Sequence, residues 1–204
     1  MAKSRRKRKK SRPAPPPAAT KRSGFPTKYA FYGLAAIALA GAVYGFISSR
    51  QQAGAFEELA VEGRETLTRV ETYPNEGRDH LPPGSKTNYS TDPPTSGAHF
   101  PTWVDPGFYE TAKGRSNLVH SLEHWMIVIF YDDPGGDVVE TLQAWTDLFN
   151  GPWSGIVAAP KAGLGEKLIL TAWRKILRFD RFEPESAAAF IDAFRGRGPE
   201  NPVR

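Results

Sequence analysis

His120-Ser-Leu-Glu-His124 sets two imidazoles four residues apart, with a carboxylate just before the second. Imidazole is the commonest transition-metal ligand. On a helical turn the two rings lie ~40° apart around the axis and ~6 Å along it. Both then reach one ion at about 2.0–2.1 Å. On a strand they share a face but stand ~13 Å apart, too far for one ion. A helical turn at 118–124 is therefore a condition of metal binding. His80 and His99 are the only other histidines, and all four fall within residues 80–124. His80, His99, His120 and His124 form the candidate ligand set, with Glu123 and Tyr89 as groups that orient the rings. The chain has no cysteine, which excludes a disulfide framework and thiolate sites. Nitrogen and oxygen donors of this kind suit copper or zinc.

The same five residues fit the H-x-x-E-H pattern of inverted zincins. Glu123 is then the general base of a metal-dependent hydrolase, and it is the single catalytic candidate. That motif needs a stable helix and a downstream carboxylate ligand, whereas here an apolar strand begins at once. A third reading is a non-catalytic envelope scaffold, with the histidines packed in a polar core network and an envelope protein as partner. Imidazole must be neutral to ligate, so bound metal is expected to leave as pH falls through the histidine range, around 6.5 or lower. A scaffold would show no such change.

The positioning elements follow from pattern. Trp125–Tyr131 is a continuous apolar run ending in Asp-Asp-Pro-Gly-Gly, a buried strand. Asp137-x-x-Glu140 resembles a capping box, followed by Val138, Leu142, Trp145 and Phe149 at helical spacing and closed by Asn150-Gly151. Gly155–Ala159 and Leu168–Trp173 are short strands. Pro184 opens a last helix that ends at Gly196. Strand, helix, strand, strand, helix predicts an α+β fold, a small sheet with helices on one face. Upstream, a strand is expected near Thr66–Tyr73. Residues 74–118 lack periodicity but hold Tyr89, Phe100, Trp103, Phe108 and Tyr109, so they are expected to wrap the core. Pro93-Pro94-Thr95-Ser96-Gly97 reads as a rigid turn presenting His99. Tyr89, Trp103 and Tyr109 read as core aromatics with polar tips.

Eleven of the 27 basic residues lie in 1–28, which hold no Asp or Glu. Residues 29–204 are then acidic, 16 basic against 22 acidic. The basic, Pro/Ala-rich stretch 1–28 is expected to be a disordered cytoplasmic tail. Residues 29–49 carry no charge and, as a helix, span about 31 Å, the thickness of a bilayer core. They are expected to form a single transmembrane anchor, with Tyr29, Tyr32 and Tyr44 at interfacial depths. A cleaved signal peptide ending at Ala53-Gly-Ala55 is the alternative, but its apolar region is usually roughly 7–15 residues long. Residues 50–65 are then a linker or juxtamembrane helix, and 66–204 an extracytoplasmic domain. The tail suits topology and anionic lipid. Nucleic acid is not expected as a partner.

The segments "NYSTDPPTSGAHFP", "GFY", "LVHSLEH" and "LTAW…FRGRGPE" resemble the domain of unknown function 3105 family, over roughly residues 60–200. The resemblance implies a bacterial, membrane-anchored, extracytoplasmic protein. His80, Tyr89, Pro93, Pro94, Ser96, Gly97, His99, His120, Glu123 and His124 match the family's pattern. The pattern commonly has a glycine after the second histidine, where this chain has Trp125. The family implies no activity.

Overall fold

The structure, a computed structural model, describes residues 27–200. It divides into two units, residues 1–44 and 45–204. The expected disordered tail lies outside the described residues up to 26. Helix α1 (Thr27–Glu62) contains the whole uncharged run 29–49. Among the described residues, however, no helix is long and apolar enough to cross a membrane. The run is diluted by Ala, Gly, Tyr and Ser, and the side chains at 27–31, 33 and 36 lie outside the description. The expected transmembrane helix is thus helical without being shown as a span.

In the second unit, residues 50–65 do more than link. Phe56 and Ala60 are buried in the core. A 3-10 helix (Gly63–Arg69) follows where a strand was expected, and only Glu71–Thr72 is extended, as β1. Gly63 is required here because a Cβ would collide with the Glu185 carbonyl. Thr66 Oγ1 lies 2.6 Å from Ser186 Oγ, and Arg69 pairs with Glu183 at 2.8 Å. Gly63→Ala is expected to cost about 2 kcal/mol by overpacking, measured as a lower denaturation midpoint at unchanged m-value.

The remaining elements are β2 (Gly107–Phe108), α2 (Arg115–Glu123), β3 (Ile127–Tyr131), α3 (Gly136–Leu148), β4 (Ile156–Pro160), β5 (Leu168–Ala172), β6 (Lys175–Phe179) and α4 (Pro184–Phe194). They form an α+β fold with one mixed six-stranded sheet, ordered β1-β6-β5-β3-β4-β2. β3 pairs parallel with β4 and antiparallel with β5. Helix α3 has Gly135 at its N-cap, with no side-chain cap, so the expected Asp137 capping box is not formed. Asp137 sits instead in the first turn, where its charge suits the helix dipole.

Strand side chains alternate between two cores. Ile127, Ile129, Ile156, Ala158, Leu168 and Leu170 face one core, with Phe56, Leu142, Trp145 and Phe190. Val128, Phe130, Val157, Ala159 and Ile169 face the other, with Leu118 and Leu122 of α2. Burial on both faces explains why β3 is apolar throughout. It also corrects the expectation of helices on one face only: the end of α1 around Phe56 and Ala60, α3 and α4 cover one face, while α2 and the irregular segment cover the other. β6 was not foreseen. It forms a hairpin with β5, and the turn residue Arg174 has φ +65°, a position where glycine is usual. Its N–H donates to Thr95 O at 3.0 Å and its Nε–H to Tyr73 O at 2.8 Å, which hold it there.

Candidate metal centre

Helix α2 ends in a Schellman motif. Trp125 N–H donates to Leu122 O and Met126 N–H to Ser121 O, both at 3.1 Å. Trp125 takes φ +69°, which explains the glycine that the resemblance implies at this position. The helix is only nine residues long, yet it meets the stated condition. His120 lies in its last turn and His124 caps it, with their Nε2 atoms 3.0 Å apart. His80 and His99 come from the irregular segment, where they face each other as an isolated bridge. Leu81 N–H donates to His99 O at 2.7 Å, and His99 N–H to Asp79 O at 2.9 Å.

All four histidines and Glu123 come together. The rings of His80, His99 and His120 lie 4.8 to 5.1 Å apart between centroids. Glu123 Oε2 is 3.0 Å from His99 Nε2 and 3.6 Å from His80 Nε2. Arg78 approaches Glu123 Oε1 at 4.0 Å. His99, His120, Glu123 and His124 are buried, while the His80 side chain is half exposed.

Backbone carbonyls fix two ring tautomers. A carbonyl only accepts, so His99 Nδ1–H donates to Gly97 O at 2.7 Å and His120 Nδ1–H donates to Phe100 O at 2.9 Å. Each neutral ring then presents a lone pair at Nε2. The His99 lone pair faces a carboxylate, and the His120 lone pair faces another imidazole nitrogen. Burial pushes the His120 imidazole down to about 4, helped by repulsion from His124, His99 and His80 and opposed by the Phe100 carbonyl. Burial also pushes His124 down, against the pull of Glu200 and Glu123. His124 Nδ1 is buried without a partner.

Other residues bear on the site differently from the sequence reading. Tyr89 donates its hydroxyl to Ala98 O at 3.0 Å and touches none of the rings through it. It supports the loop that carries His99, and its ring lies against Gly97, which has φ +115°. Pro94, Thr95 and Ser96 are buried in the same turn. Trp103 is 42 % exposed rather than core. It lies 4.6 Å from the His124 ring, and Trp153 stacks on that ring at 4.2 Å. Glu200, in the C-terminal "GRGPEN", places Oε2 3.0 Å from His124 Nε2. It escaped sequence reading although it stands in one of the segments that carry the resemblance. Among the described residues two groups have metal-compatible geometry: His80, His99, His120 and Glu123, and His120, His124 and Glu200.

The family model described as protein of unknown function (DUF3105) matches residues 80–204. The chain belongs to this family. The match begins at His80 and spans every histidine, Glu123 and Glu200. No curated protein and no solved structure matches the chain.

Proposed function

We propose that the DUF3105 domain binds one divalent ion, zinc or copper, through His80, His99, His120 and Glu123. The convergence of acceptors carries this reading. With its Nδ1–H committed to Gly97 O, neutral His99 points its Nε2 lone pair at the Glu123 carboxylate across 3.0 Å, two acceptors that a proton or a metal ion would join. His120, its Nδ1–H committed to Phe100 O, turns its Nε2 lone pair into the same cluster, where His124 Nε2 is 3.0 Å away. The low proton affinity of His120 keeps that lone pair available to a metal. Three imidazoles and one carboxylate are a common zinc set, and copper accepts it as well. Elemental analysis of the untagged full-length chain tests this, beside a His120→Ala, His124→Ala double variant. The expected result is about one ion per chain, absent from the variant. A wild-type chain that stays metal-free after exposure to both ions overturns the reading in favour of a packed polar network.

One observation favours the hydrolase reading: Glu200 supplies the downstream carboxylate that H-x-x-E-H sites need. Against it, Glu123 is 4 % exposed and faces His99 and His80. Five cavities among the described residues are lined by neither Glu123 nor any histidine. A carboxylate so enclosed by imidazoles fits a ligand to the ion better than a base acting on substrate.

We further propose attachment to the membrane through residues 29–49, with the folded domain on the extracytoplasmic side. The uncharged run behind eleven basic residues supports this. So do the exposed side chains of Leu34, Ile37, Leu39, Val43, Phe46 and Ile47. Resistance to alkaline extraction from membranes is expected, and full recovery in the soluble fraction overturns it.

A further inference from the structure

The two metal-compatible groups share His120, and that ring has one nitrogen to give. Its Nδ1–H is donated to Phe100 O, which leaves Nε2 alone. One lone pair binds one ion, so the two groups cannot both be filled through His120. They are alternative positions for a single ion. We propose that His120, His124 and Glu200 form an outer loading position, from which His120 passes the ion to the inner set at His80, His99 and Glu123. This rests on the metal-binding reading above.

Three observations support the exchange, and the first gives its direction. The outer carboxylate is the open one, with the Glu200 side chain 40 % exposed against 5 % for Glu123, while the inner set meets solvent through His80, 49 % exposed. Each position holds one carboxylate, so the ion keeps the same partial charge compensation in both. The C-terminal segment is also seated as part of the site. Gly196 N–H donates to Trp125 O at 2.9 Å, and Arg78 donates to Pro199 O at 3.4 Å. A Cβ at Gly198 would collide with Trp125 and the Glu123 carbonyl, so only glycine lets the chain pass this close. Arg78 therefore touches both the segment carrying Glu200 and the inner carboxylate. The transfer exchanges metal–nitrogen and metal–oxygen bonds only, with no change in oxidation state.

The test uses the untagged full-length chain, zinc ion, and a chromogenic chelator as acceptor, with tryptophan fluorescence from Trp103 and Trp153 as a second signal. Glu200→Gln removes the charge and keeps the shape. It is expected to retain one zinc per chain and an affinity within about threefold, while loading and release each slow about tenfold, equivalent to about 1.4 kcal/mol of barrier. His124→Ala is expected to act in the same direction. Unchanged rates in both variants overturn the proposal and assign exchange to the half-exposed His80 side. A fall in affinity of more than about 30-fold, some 2 kcal/mol, overturns it by placing Glu200 in the inner set. Both results leave the metal-binding reading standing. A wild-type chain that binds no zinc removes that reading itself.

Discussion

Glu123→Gln is expected to raise the stability of the metal-free protein while abolishing tight metal binding. In the wild type, His99 Nε2 meets Glu123 Oε2 at 3.0 Å with no proton assigned to the contact by its other hydrogen bond. With His99 neutral, two buried acceptors then face each other. Glutamine supplies an N–H donor to the same lone pair with almost no change in shape. Replacing a buried acceptor clash by a hydrogen bond is worth about 1–2 kcal/mol, or roughly 3–6 °C in Tm for a domain of this size. The same change removes the one anionic ligand of the inner set, and zinc affinity is expected to fall at least about 100-fold. Thermal unfolding at pH 8 after metal removal, paired with a zinc titration, reads both effects. A site kept for function at the expense of stability gives opposite signs in the two measurements. If the contact is instead a satisfied imidazolium–carboxylate pair, Glu123→Gln costs about 3–5 kcal/mol and changes no metal content. That outcome would make the histidines structural.

Much of this arrangement was legible in the sequence, and the misses have physical causes. The spacing of His120 and His124 set the condition for their meeting, a helical turn at 118–124, because 3.6 residues per turn brings position i+4 back to the same face, and α2 supplies that turn. The turn at Pro93–Gly97 did present His99. The β5–β6 hairpin was hidden because Arg174 fills a left-handed turn position without glycine. It is held there by backbone acceptors distant in sequence, at Tyr73 and Thr95. Glu200 was hidden for a related reason. Its place beside His124 depends on Gly196 and Gly198 lying against the end of α2, a tertiary contact with no local signature. Trp103 was misread as core because an aromatic ring covering a polar site from solvent has the same composition as one buried beneath it. The second helix-bearing face went unforeseen because α2, at nine residues, sends only Leu118 and Leu122 into that core.

Acidification is expected to destabilise the metal-free protein well before it protonates His120 in the fold. The unfolded imidazole titrates near 6.5, whereas burial brings the folded one to about 4. Below pH 6.5 the unfolded chain takes up a proton that the folded chain refuses. The contribution is therefore fully present above 6.5 and is lost as pH falls from 6.5 towards 4. Discounted for partial solvent screening, the difference corresponds to about 2 kcal/mol. His124, shifted in the same direction by burial, adds to the loss. His120 nevertheless remains a neutral, competent ligand down to about pH 4. Protonation of His120 is thus not what would release zinc at pH 6, and the share of release that His120 carries is expected between about pH 5 and 4, together with the fold. Tm against pH for the metal-free chain, with zinc release followed alongside near-ultraviolet circular dichroism, measures both. His120→Phe fills the site without a titrating group and is expected to flatten the His120 share of the slope. A wild-type Tm that does not change between pH 7 and 5 would count against the assignment. It would mean that His120 titrates as an open, solvated histidine, and its Nε2 lone pair would not be the preorganised ligand that the Phe100 carbonyl sets up.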